Sequence, residues 1–226
     1  SNCTCARAGH APDARRRAES TATSLIRSAR ALFSEKALKY LHGTLALPSP
    51  LPFAGIKLEK KATARYHNRI DAHELIAAAR AELAGSATRQ EQFKLFCLAL
   101  LCGLRKAEAD SLLWSQVDFG EAHIRIEPTE FFTPKSEDSI GEVDIDPELL
   151  ALLKSWKAKA TGLFVVESPQ APQYHSTSYR WYRCEKDFDA LYEWLKSKGI
   201  VARKPLHELR KELGAILASD QGIFAA

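Results

Sequence analysis

Methionine is missing from all 226 residues, position 1 included, where the chain begins Ser1-Asn2. We read such a chain as an expressed segment rather than a native N-terminus. Long hydrophobic runs are missing as well. No stretch approaches 18 uninterrupted apolar residues, and the first residues lack the basic-then-apolar pattern of a secretory signal. A membrane protein or an exported one is therefore not expected, and the reading is of an intracellular, cytoplasmic protein. Cysteine is sparse and odd in number: Cys3, Cys5, Cys97, Cys102 and Cys184. That excludes a disulfide framework and fits a reducing compartment. Cys97 and Cys102 lie in an apolar run and read as small core residues. Cys3, Cys5 and His10 match no standard zinc spacing, so no metal and no other cofactor is expected. Internal repeats and low-complexity tracts are absent too.

What is present is an ordinary globular composition, 46% hydrophobic and 27% charged. The net charge of +4 hides an asymmetry. Residues 1–69 hold 13 basic and 4 acidic side chains, a charge of +9, leaving 19 against 24, or −5, for the rest. A basic entry segment on a mildly acidic body points to a polyanionic partner touching one region.

Apolar positions recur at helical spacing over 14–41, through Leu25, Ile26, Ala29, Leu32 and Phe33, predicting one long amphipathic, basic helix. It stops before Leu47-Pro48-Ser49-Pro50-Leu51-Pro52, whose prolines mark a linker. Beyond it, Asp71 caps a predicted helix to about Leu83, ended by Gly85-Ser86. A strongly apolar helix follows from Arg89 to Leu101, Gly103 breaks it, and helical spacing resumes over Leu104–Leu113. The period then changes to two at 123–126 and again at 142–145, predicting a small antiparallel hairpin or sheet. Pro147 opens a helix to about Lys159, followed by a short strand at 163–166. A long helix is predicted over 177–198 with Trp181, Cys184, Phe188, Leu191 and Leu195 on one stripe. A last helix runs from Pro205 past Leu217.

Three polar elements stand out from this background. Gly103-Leu104-Arg105-Lys106-Ala107-Glu108 puts an arginine at a helix start and a glutamate one turn on. Lys135 lies in the polar connection between the predicted strands. His207-Glu208-Leu209-Arg210 sets a histidine and an arginine one turn apart on one helical face. Each alone has a bland reading, as an intrahelical ion pair, a solvated lysine and a decorated helix surface respectively. Their order and spacing together carry more.

In these three elements the chain resembles the tyrosine recombinase, or phage integrase, family over roughly residues 60–226. The family's Gly-Leu-Arg-x-x-Glu helix start matches Gly103 to Glu108, its hairpin lysine matches Lys135, and its His-x-x-Arg helix matches His207 to Arg210. The resemblance implies a mainly α fold with a small antiparallel β-sheet, the recombinase catalytic domain, preceded by a helix from the core-binding domain. On that basis residues 1–55 are expected to be the C-terminal part of the DNA-clamping core-binding domain with its Pro-rich linker, and 56–226 the catalytic domain.

The resemblance also implies roles. Arg105 and Arg210 would hold the charge that builds on a phosphodiester under attack, through planar donors suited to phosphate. Lys135 would protonate the departing 5′ oxygen. His207 would hydrogen-bond the phosphate or handle the nucleophile's proton. Glu108 would orient Arg105 rather than react. The partner is double-stranded DNA, met by a homo-oligomer, a tetrameric synapse, in a bacterial or phage-encoded system at the nucleoid.

The chain departs from the family in two respects. Glu142 stands where many members have an arginine before the second hairpin strand. More consequential, the tyrosines Tyr40, Tyr66, Tyr174, Tyr179, Tyr182 and Tyr192 all precede His207, whereas the family's nucleophile follows its His-x-x-Arg motif. The expectation is a segment truncated before the nucleophile and unable to cleave DNA by itself. A noncatalytic DNA-binding protein of the same fold is the alternative.

Overall fold

The computed structural model describes residues 11–41, 45–56, 70–172, 174 and 181–220. The chain divides into two compact units, Ser1–Arg65 and Tyr66–Ala226.

In the first unit, α1 (Ala11–Ala31) and α2 (Glu35–Leu41) replace the single helix expected over 14–41. The break falls at Ser34, whose hydroxyl accepts from the Ala37 amide at 3.4 Å while its carbonyl accepts from Leu38 at 2.8 Å. A serine that offers its side chain to the next turn's amides starts a new helix better than it continues an old one. The Pro-rich stretch that follows carries neither helix nor strand over 45–56, and Arg30 donates to the Ile56 carbonyl at 3.3 Å.

The second unit is built around α4 (Gln90–Leu100). Every residue from Phe93 to Leu100 is buried, so this helix has no solvent face and other elements pack around it. Lys94 joins this interior with its ammonium 2.8 Å from Glu91. Before it comes α3 (Ala72–Ala79), capped by Asp71, whose carboxylate accepts from Glu74 N at 3.0 Å. A π-turn over Arg80–Ala84 carries α3 to its end at Gly85. After α4 come α5 (Lys106–Ser111) and a three-stranded antiparallel sheet in the order β1 (Val117–Asp118), β2 (His123–Ile126), β3 (Gly141–Asp144). The register pairs Val117 with Ile124, and Ile124 with Val143. α6 (Pro147–Lys157) has Pro147 in its first turn, and the Asp146 carboxylate accepts from Glu148 N and Leu149 N, both at 2.9 Å. α7 (Glu185–Ser197) and α8 (Pro205–Asp220) both pack on α4. Edge-on ring contacts, Phe96 with Trp194 at 5.6 Å and Phe93 with Trp156 at 6.0 Å, fill the space between helices.

The unit is thus mainly helical with one small antiparallel sheet. Three details differ from the sequence reading. β1 was not foreseen, because two residues carry no period. The strand expected at 163–166 is a single bridge, Phe164 to Leu113, since the segment after Leu113 turns away into a 3-10 turn at Trp114–Gln116. The long helix expected over 177–198 starts only at Glu185. Residues 177–180 lie outside the described residues, and at 181–184 the backbone is not helical. Trp181 accordingly stands 49% exposed, off the buried stripe formed by Phe188, Leu191 and Leu195. Among the described residues, no helix is long and apolar enough to cross a membrane.

Candidate active site

The turn after α4 is where the site begins. Gly103 adopts a φ of +61°, a left-handed conformation that glycine enters without steric cost, and the Leu104 amide reaches back to the Leu98 carbonyl at 3.0 Å. The chain reverses there with Leu104 buried, which leaves Arg105 at the N-terminal cap of α5 and half of its side chain exposed. Arginine has no acceptor oxygen and cannot cap the helix itself. Glu108 supplies the bonds instead. Its Oε2 accepts from Arg105 N, and its Oε1 accepts from Arg105 Nη1, both at 2.6 Å. The Glu108 side chain is only 5% exposed, so the carboxylate is a buried fixture that sets both the backbone and the guanidinium of Arg105.

The second half comes from α8. Leu206 and Leu209 are buried, with Leu213 and Ile216 partly so, and this i, i+3, i+4 stripe turns one face of the helix inward. Leu213 approaches Gly103 so closely that a β-carbon there would lie 3.0 Å from Leu213 Cδ2. Arg210 sits beside Leu209 at the margin of the buried face, half-buried, and within Coulombic reach of Arg105 and Glu108. Burial and then the like charge of Arg105 weaken its hold on the proton, and Glu108 opposes them. Arg105 is thus ion-paired with the buried carboxylate while Arg210 lies within Coulombic reach of both, so two guanidiniums face one carboxylate and the site carries an excess positive charge. His207, one turn earlier, is exposed and lies within electrostatic reach of Arg210. Its pKa is held below the ordinary imidazole value by partial burial and then by Lys211, with Glu208 opposing.

No protein-family model and no curated protein sequence matches the chain. Among solved structures, the Tn1549 transposon integrase in complex with transposon right end DNA superposes with a TM-score of 0.59 at 16% identity, over 88% of this chain and 67% of that one. The same integrase in complex with circular intermediate DNA gives 0.55 at 14% identity, over 92% and 70%. The chain has the tyrosine recombinase catalytic-domain fold.

In this recombinase fold the remaining expected residues stand as follows. Lys135 is exposed on the connection between β2 and β3, just before a 3-10 turn at Glu137–Ser139. Among the described residues no hydrogen bond or ion pair ties it to Arg105, His207 or Arg210. Glu142 faces Arg125 across the β2–β3 ladder and lies 3.6 Å from His123 Nε2. An arginine at 142 would oppose Arg125, whereas the glutamate meets two basic neighbours. Cys97, Cys102 and Cys184 are buried, and desolvation pushes the Cys102 thiol up to about 12, so none of the three is a reactive thiolate. Among the described residues no group of three His, Cys, Asp or Glu side chains could hold a metal ion. Cys3, Cys5 and His10 lie outside those residues. The sequence reading passed over Lys106 and Asp110, whose partners lie 73 to 79 residues away and leave no spacing signal.

Proposed function

We propose that the chain is part of a site-specific DNA recombinase or integrase, one that breaks and rejoins strands of double-stranded DNA through a covalent 3′-phosphotyrosine intermediate. The observation that carries this reading is that Arg210 lies within Coulombic reach of Arg105, itself ion-paired to the one buried carboxylate of Glu108. Like charges brought together from separate helices are unfavourable unless an anion joins them, and Glu108 offsets only one. A phosphodiester supplies the missing charge, and two planar guanidiniums suit its non-bridging oxygens. The similar integrase structures hold transposon-end and circular-intermediate DNA, which supports duplex DNA as the partner here.

In this proposal Arg105 and Arg210 stabilise the pentacoordinate phosphorus as a tyrosine oxygen bonds to it and the 5′ oxygen leaves. Lys135, exposed on the connection between β2 and β3, gives that oxygen its proton. His207 hydrogen-bonds the phosphate or handles the nucleophile's proton, while Glu108 keeps Arg105 aimed. The tyrosine itself is drawn from outside these 226 residues. Tyr192, the last in the chain, has its phenol pushed up to about 12 by burial and then by Glu185, which makes it a poor nucleophile where it stands. A homo-oligomer, a tetrameric synapse, would pair the strands exchanged, with residues 1–55 clamping the duplex as part of a core-binding domain.

The test is binding to a labelled mixed-sequence duplex. Arg105→Ala and Arg210→Ala should each weaken it about tenfold at low salt, the loss of one well-placed phosphate contact. Wild-type affinity in both variants would refute the phosphate site.

A further inference from the structure

α5 is six residues long, too short to hold its own axis, because a helix of that length forms only when something outside it fixes it. Yet it carries Arg105 at its N-terminal cap. Two side chains on one face, Lys106 and Asp110 at i and i+4, attach it elsewhere. The Lys106 ammonium donates to both carboxylate oxygens of Glu185 at 3.0 Å. It also lies over three rings, 4.1 Å from the centre of Tyr182, 4.6 Å from Phe188 and 5.6 Å from Tyr192. Four residues on, Asp110 accepts from Arg183 N at 3.0 Å and from Cys184 N at 2.8 Å. Arg183 closes the link, donating from Nη2 to the carbonyls of Asp110 at 2.7 Å and Val166 at 2.8 Å.

From this geometry we infer that Tyr182–Glu185 is a clamp that positions Arg105, with Lys106 and Asp110 as its two attachment points on α5. The inference rests on the phosphate reading given above. Arg105 and Glu108 occupy a different face of the helix from Lys106 and Asp110, so the clamp does not engage the guanidinium while it sets the helix that aims it. Lys106 is thereby consumed. A cation held by a carboxylate within an aromatic cage is not available to a phosphate, although its place beside Arg105 in the sequence suggests one.

A sign separates positioning from simple electrostatics. Glu185→Ala removes a negative charge and frees Lys106, so a Lys106 that served as a direct DNA contact would bind duplex more tightly in this variant. Positioning requires the reverse. Glu185→Ala should weaken binding of the full chain to a labelled mixed-sequence duplex about tenfold, the size of the Arg105 contact it misaligns. That loss should vanish in an Arg105→Ala background, because the misaligned group is already gone. Lys106→Met should behave the same way. The Glu185 side chain is 46% exposed, so the variant is expected to fold, with an unchanged melting profile as the control. Amide exchange across Lys106–Ser111 should quicken in both variants, a readout independent of DNA. Tighter or unchanged binding, an equal loss in the Arg105→Ala background, or unaltered exchange would each overturn the clamp. An Arg105→Ala protein that binds normally would instead remove the phosphate reading, and the clamp's role with it.

Discussion

At the scale of single residues, Gly103 decides how closely α8 comes to the start of α5. Alanine there must hold a φ of +61° and place its β-carbon 3.0 Å from Leu213 Cδ2. The contacted atom is the end of a flexible side chain, so the backbone strain outweighs the contact. Gly103→Ala should cost about 1–2 kcal/mol of stability, measured by urea unfolding. His207 offers a second residue-scale test. Its pKa lies below that of the unfolded chain, so the folded state binds fewer protons between the two values. The contribution to stability is full above about 6.5 and is lost as pH falls through the folded-state value. A bound phosphate favours the imidazolium and should raise the midpoint again. DNA binding near that pH should therefore take up a proton, read by calorimetry in buffers of different ionisation enthalpy. The uptake should disappear in His207→Ala. No proton uptake in the wild type would place His207 away from the phosphate.

Elements in this fold start and stop where a polar side chain offers the backbone something better than the next helical turn. Ser34 divides the first helix in this way. Asp110 does it across the fold, taking the amides of Arg183 and Cys184 so that α7 begins at Glu185. Removing that carboxylate leaves two buried N–H groups without acceptors, at about 1–3 kcal/mol apiece. Asp110→Ala should lower stability by about 3 kcal/mol, or roughly 9 °C in melting temperature for a domain of this size. Asp110→Asn retains one good acceptor and should lose about half as much. A melting temperature within a degree of wild type for Asp110→Ala would contradict this account of where α7 starts.

For the molecule as a whole, charge is distributed so that the basic excess lies in residues 1–69 and a local positive site lies in the otherwise acidic remainder. Duplex binding by the chain should weaken linearly in log affinity against log salt, and the slope should fall by about one in Arg105→Ala and again in Arg210→Ala. A nicked substrate that traps covalent intermediates should give no adduct with these 226 residues, because Tyr192 is partly buried beneath Lys106 and its phenol is disfavoured as a phenolate. A longer protein with a tyrosine after the His-x-x-Arg helix should give one. An adduct mapped to Tyr192 would overturn the assignment of the nucleophile. No adduct from the longer protein would favour the noncatalytic DNA-binding alternative.

Much of the site was legible because its informative features are local. The spacing from Arg105 to Glu108 is one helical turn, so the bond between them follows from the sequence as soon as Gly103 ends the preceding helix. Asp71 marks a helix start for the same reason, since a cap acts on amides two or three residues away, and Pro147 marks one because its fixed backbone suits a first turn. The apolar residues of α4, from Phe93 on, declared a strongly apolar helix. None of these needed a partner from elsewhere in the chain. By itself, then, the sequence determined the mainly helical class, most helix starts, and the pairing within each motif. What it left to the tertiary structure was every contact between distant segments. The approach of Arg210 to Arg105 depends on α8 packing on α4 and on Leu213 reaching Gly103. The start of α7 depends on a carboxylate 73 residues upstream. Lys106 is a surface cation by spacing and a caged one by packing. Local propensity operates over one or two turns, whereas these outcomes are set when buried faces meet, and only the folded chain brings such faces together.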